Sequence, residues 1–179
     1  LGASLASAQV KCTLNAKDGE NVGLEKLIVA SVESKLDITQ VEFYVNNELR
    51  ETDDSLPYEF HVDGLAEPEG PLTLKAIAYN AQGKSTTVVV KLVVDNGLAA
   101  GPDSFVKAGD DLFRAGKLAE AMTKGRLALK AKKDYNPARL LMAKVSFQLN
   151  QFDRAETFAQ DVLAAEPNNL AALDVSSAS

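Results

Sequence analysis

PDSFVKAGDDLFRAGKLAEAMTKGRLALKAKKDY (102–135) and NPARLLMAKVSFQLNQFDRAETFAQDVLAAEPNN (136–169) have the same length and align without a gap. Pairing Pro102 with Asn136 lays Ala108-Gly109 on Met142-Ala143, Leu112 on Ser146 and Leu118 on Phe152. Ala121 then falls on Ala155, Ala128 on Val162 and Leu129 on Leu163. Alanine and leucine are abundant in both segments, lysine is abundant in the first, and β-branched residues are scarce, which favours helix. Self-similarity at a fixed period marks a stack of supersecondary units, each burying its apolar face only against its neighbours.

The period and these small and apolar positions resemble the tetratricopeptide repeat (TPR), a 34-residue helical hairpin. That likeness implies one repeat over 102–135, a second over 136–169, and over 170–179 the start of a third or a C-terminal tail. Pro167 with Asn168-Asn169 closes the second repeat as the family pattern requires. The first has Lys133-Asp134-Tyr135 there, so its exit turn is expected to be longer or differently shaped. In such arrays the first helix of each hairpin lines a concave, protein-binding face, here Val106, Asp110 and Phe113, then Leu140, Lys144 and Phe147. Chaperone-binding TPRs clamp a terminal carboxylate with lysine and asparagine at such places. Val106, Asp110 and Leu140 break that pattern and leave two readings, an apolar groove around Phe113 and Phe147 or simple packing of both rings between helices. Two repeats plus a fragment are expected to leave apolar surface near Leu163, Leu170 and Leu173, which makes these candidate subunit contacts.

The first half has a different period. In ITQVEFYVNNELRETDD (38–54), Val41, Phe43 and Val45 alternate with Gln40, Glu42 and Tyr44, the pattern of a strand with one buried face. Asn46-Asn47 supplies a turn tolerant of positive φ, and 48–53 returns as a second strand. LPYEFHVDG (56–64) repeats the alternation with Tyr58, Phe60 and Val62 inward. PLTLKAIAYNAQGKSTTVVVKLVV (71–94) gives two more strands, 72–79 and 86–94, about Ala81-Gln82-Gly83. With 10–14 and 27–32 the count reaches about seven short strands, which predicts an antiparallel sandwich. In TTVVVKLVV (86–94), Val89 and Val93 lie opposite Val88, Val90 and Leu92, so a strand apolar on both faces makes them further candidate contacts.

VEFYVNNELRETDDSLPYEF (41–60) followed by LTLKAIAYNAQGKST (72–86) resembles the bacterial immunoglobulin-like domains of secreted and surface proteins, with Asn47 where glycine is common. The resemblance covers Val10 to Asp95 and implies spacing, adhesion or assembly outside the cytoplasm, not catalysis. The fold expected is therefore multidomain, β then α: an immunoglobulin-like β-sandwich over 10–96, a linker over 97–101 with two glycines, and a TPR helical array.

Composition narrows function further. Residues 1–100 carry 8 basic and 15 acidic side chains and the remainder 11 and 10, so no basic footprint for nucleic acid exists. No apolar run approaches a membrane span. LGASLASAQ (1–9) ends in the small-x-small pattern of a signal-peptidase site, which reads as the remnant of a signal peptide, or else as an apolar segment that pairs with a neighbour. The first alternative places the chain in an extracytoplasmic compartment. One cysteine, Cys12, excludes an internal disulfide and reads as a small buried apolar residue. His61 stands alone between Glu59 and Asp63, and neither a catalytic constellation, a cofactor loop nor metal spacing accompanies it.

The function expected is a non-enzymatic exported scaffold that binds protein, either an envelope protein or another copy of itself, as a homo-oligomer or head-to-tail filament. The alternative is a carbohydrate-binding or adhesive accessory domain of a cell-envelope system, for which Tyr44 and Tyr79 are the outward-facing rings. The basic run Lys124, Arg126, Lys130, Lys132 and Lys133 usually marks a solvated helix face.

Overall fold

A computed structural model describes residues 10–178. The 1–9 segment, with its reading as a signal-peptide remnant or apolar tail, lies outside the described residues, as does Ser179. The chain divides into two compact units, one ending at Asn96 and the other beginning at Gly97.

The first unit holds β1 (Lys11–Leu14), β2 (Glu25–Glu33), β3 (Ile38–Val45), β4 (Glu48–Asp53), β5 (Tyr58–Asp63), β6 (Gly70–Asn80) and β7 (Ser85–Val94). They form a three-stranded sheet in the order β1-β2-β5 and a four-stranded sheet in the order β4-β3-β6-β7, with every ladder antiparallel. The inward alternation is as the sequence predicts. Val41, Phe43 and Val45 of β3 meet Tyr58, Phe60 and Val62 of β5 in one core with Leu72, Leu74, Ala76 and Ala78 of β6. Asn46 and Asn47 take φ of 51° and 68°, the left-handed pair a tight hairpin needs between right-twisted strands. Asn46 also fixes the hairpin to β6, because its Oδ1 accepts from Thr73 N at 3.0 Å.

Both edges of the larger sheet are guarded. β4 reads ELRETD and presents charge along its free side. The free side of β7 is covered where the chain leaves β1 and crosses between sheets: Gly19 N donates to Lys91 O at 2.7 Å, and Val93 N donates to Glu20 O at 3.0 Å.

The second unit opens with a 3-10 turn, Leu98–Ala100, inside the stretch expected as linker. Five helices follow: α1 (Pro102–Arg114), α2 (Leu118–Ala131), α3 (Asn136–Gln148), α4 (Phe152–Ala165) and α5 (Leu170–Ala178). The register is strict, since α3 and α4 begin and end 34 residues after α1 and α2, and α5 begins 34 after α3. Hydrogen bonds obey the same shift. Gly116 N donates to Phe113 O and Asn150 N to Phe147 O, each closing a first helix through a left-handed residue at φ 74° and 58°. Small residues let the helices approach closely. Ala121, Ala128, Ala138, Ala143, Ala155, Ala159 and Ala172 are fully buried, and a methyl group on Gly109 or Gly125 would run into Leu141 or Met142 of α3.

The exit turns decide between the two alternatives expected. Residues 132–135 and 166–169 are equally long, so the first turn is not extended. It differs in shape, with Asp134 at φ 62° where the second turn places no positive φ.

Candidate protein-binding surface

Val106, Asp110 and Phe113 stand at i, i+4 and i+7 on α1 and so share one helix face. Leu140, Lys144 and Phe147 repeat that face on α3. All six side chains are half-buried. Phe113 packs against Ala121, Leu141 and Val145, while Leu140 and Phe147 pack on the cluster of Ala143, Ala155, Ala159 and Val162. Phe147 also meets Phe152 edge to face, with centroids 5.6 Å apart. Each phenylalanine is thus partly an inter-helix wedge and partly open to solvent, which joins the two readings that the sequence left apart. Between the apolar rows stand Asp110 and Lys144. Among the described residues, neither charged group has a hydrogen-bond or ion-pair partner.

The same face continues onto α5 through Asp174, the 34-residue equivalent of Leu140. Ala172 and Val175 are buried on α5 as Ala138 and Leu141 are on α3, which fixes the orientation. Sequence reasoning missed Asp174, although shifting Leu140 by one period finds it.

Polar ties hold the scaffold behind this face. Tyr135 donates its hydroxyl to Asp103, joining the first exit turn to the start of α1. Asn136 Nδ2 and Asn169 Nδ2 each donate to Glu166 at 2.8 Å, and these two bonds hold its carboxyl below the ordinary glutamate range. Arg139 lies between Asp134 and Asp161. In the first repeat the equivalent places carry buried Phe105 and Leu127, so an apolar pair there is replaced by an ion pair here.

Of the candidate subunit contacts, Leu163 is half-buried on the α3–α5 cluster. Leu170 is 76% exposed and Leu173 41%, while Val89 and Val93 are exposed on the outer face of the four-stranded sheet at 50% and 36%. On that sheet face Tyr44 and Tyr79 both donate to Glu42, and the Lys75 ammonium lies 4.1 Å from the Tyr44 ring centroid. A sugar stacking on Tyr44 would meet a ring already engaged by a cation.

His61 Nδ1 lies 2.8 Å from Glu25 Oε1 on an exposed strand face. Burial pushes the Cys12 thiol up, which lowers its thiolate fraction and its reactivity. Among the described residues, no group of three His, Cys, Asp or Glu side chains could hold a metal ion. No helix there is long and apolar enough to cross a membrane.

The strict register of α1 to α5 is matched by comparison with known families: a tetratricopeptide repeat family model covers residues 112–175. Over those residues the helical unit is similar to a TPR array. No curated protein matches the chain. Among solved structures, the fibronectin(III)-like modules of Clostridium thermocellum CbhA align over 49% of this chain and 47% of theirs, at 24% identity and a TM-score of 0.42. The chain is a seven-stranded antiparallel sandwich followed by helical repeats, of which residues 112–175 match the TPR model.

Proposed function

We propose that this chain is a non-enzymatic, exported scaffold whose TPR face docks another protein while the sandwich spaces or orients it. The observation that carries this reading is the α1–α3 face, where half-buried apolar side chains flank two charged groups without partners of their own. Core packing alone has no use for such charges, whereas a docked segment satisfies them. Export is supported by the Ala6-Ser7-Ala8 pattern before Gln9.

The sharper form is self-assembly. Exposed Leu170 and Leu173 on the array, exposed Val89 and Val93 on the sandwich, and the acidic excess of the first half favour a heterologous contact between copies. Such a contact does not close on itself and propagates as a filament. Light scattering across a hundredfold concentration range, with electron microscopy of the most concentrated sample, tests this form. Growing particles that Leu170→Asp with Leu173→Asp disperses support it, and a monomer at every concentration removes it. Docking is tested separately by hydrogen exchange of the chain with its co-purified partner: protection on α1 and α3 that Phe113→Ala with Phe147→Ala abolishes is the expected result, and protection elsewhere ends the reading.

A further inference from the structure

The TPR face has a charge order as well as an apolar character. Asp110 and Lys144 occupy the same repeat position on adjacent first helices, which pack about 10 Å apart. On one side of them lie Val106 and Leu140, on the other Phe113 and Phe147. Asp174 on α5, one turn nearer its helix start, continues the alternation, so the sign runs negative, positive, negative from α1 through α3 to α5. Its carboxylate, like the other two charged groups, has no partner among the described residues.

We infer that the face selects an amphipathic protein helix that presents basic, acidic and basic side chains in that order, one per repeat, with apolar residues between them. This rests on the docking role proposed above and specifies the partner's chemistry. The spacing argues for a helix. Side chains seven residues apart lie on one face of a helix about 10.5 Å apart along its axis, close to the separation of neighbouring first helices. Apolar side chains on the same helix face then reach the Val106/Leu140 and Phe113/Phe147 rows. A segment of the opposite order places like charges together at every repeat and is rejected, so the charges supply selectivity while the apolar rows supply area.

Two synthetic 20-residue alanine-leucine helices test this on the intact chain. One carries Lys, Glu and Lys at seven-residue spacing, the other Glu, Lys and Glu. Because each order reads the same from either end, binding direction cannot disguise the difference. The expected result by fluorescence anisotropy is about tenfold tighter binding of the Lys-Glu-Lys helix. That preference shrinks as salt rises and inverts in the triple variant Asp110→Lys, Lys144→Glu, Asp174→Lys. Equal binding of both helices, weakened together by Phe113→Ala with Phe147→Ala, overturns the charge order and leaves the docking face standing. Failure of both helices to bind at about 1 mM overturns the charge order and the docking of amphipathic segments at this face together.

Discussion

Phe43 of β3 stacks on Phe60 of β5, with ring centroids 5.5 Å apart and planes inclined by 19°, so one aromatic pair spans the two sheets of the sandwich. Phe43 is fully buried and Phe60 nearly so. Removing the Phe43 ring deletes both its burial and the offset-stacked contact, and a wall of strands cannot collapse into the space. Phe43→Ala is expected to cost about 3–5 kcal/mol, enough to bring a marginal domain close to unfolding. Phe43→Leu, which keeps most of the volume, should cost about 1–2 kcal/mol. Urea titration followed by tyrosine fluorescence measures both, and equal losses from the two variants would show that the ring pair does not bridge the sheets.

Gly64, just after β5, makes a different kind of demand. A methyl group there would strike the carbonyl oxygen of Gly23, a backbone atom that no side-chain rotation can clear. Gly64→Ala should therefore cost about 2 kcal/mol or more. Gly83, with open space around it but a φ of 73°, is the control: alanine there meets only left-handed strain of about 1 kcal/mol. A smaller loss at position 64 than at position 83, read from thermal unfolding, would show that the two loops separate at little cost.

Much of this architecture was written in short-range pattern. Alternation placed Val41, Phe43 and Val45 inside β3 because side-chain direction in a strand is local, and Asn46-Asn47 announced its hairpin because few residues tolerate positive φ. The 34-residue period marked out the two helical hairpins for a similar reason, since each repeat carries its own packing code, while it left 170–179 open between a third repeat and a tail. Non-local pairings were out of reach. That β3 pairs with β6 across the larger sheet, and that 18–22 cover the free side of β7, depends on backbone groups far apart in sequence. The Arg139–Asp161 contact was hidden because it replaces Phe105 and Leu127 of the first repeat with unlike chemistry.

Tyr44 and Tyr79 donate to the same oxygen, Oε2 of Glu42, at 2.7 and 3.0 Å, and Gln40 Nε2 donates to Oε1 at 3.1 Å. Ionising either phenol would set it against the carboxylate. The bond to Glu42 raises Tyr44, while burial and then the same bond raise Tyr79. Phenolate absorbance of the native chain should therefore rise later than that of free tyrosine, which titrates near about 10. With folded values raised, the stability these groups contribute is complete below the unfolded value and fades as pH climbs through the folded one. Glu42→Gln should shift part of the absorbance rise to lower pH, and an unchanged titration would mean that the shared carboxylate does not govern these rings.

Asp53 shows the opposite sign. Its Oδ2 accepts from Glu59 N at 2.8 Å and its Oδ1 from Ser55 N at 3.1 Å, bonds that fix the loop between β4 and β5. The Glu59 amide and, to a lesser degree, Ser55 hold the carboxyl below the ordinary aspartate value. The stability it contributes is present above the unfolded value, near about 3.9, and is lost as pH falls through the depressed folded one. Asp53→Asn cannot lose a proton-linked contribution, so its unfolding midpoint should fall less steeply than that of the parent between about pH 4 and 2. Parallel curves would assign the acid sensitivity of the sandwich to other carboxyls.

Ser146 of α3 is fully buried and its hydroxyl has no hydrogen-bond partner among the described residues. One period earlier the chain uses Leu112, a half-buried apolar residue packed beside Ala121. The polar atom at position 146 is therefore desolvated without compensation, a cost of about 1–3 kcal/mol that Ser146→Ala removes while also raising helix propensity. The variant leaves only a small space, because alanine lacks just the hydroxyl, so the net effect should be a gain of about 1 kcal/mol. Ser146→Leu, which copies the first repeat, should lose stability instead, since Ala143 and Ala155 hold α3 and α4 too close for the added carbons. Differential scanning calorimetry of the two variants separates a buried polar defect from a packing limit. A loss on Ser146→Ala would mean that the hydroxyl is satisfied in solution.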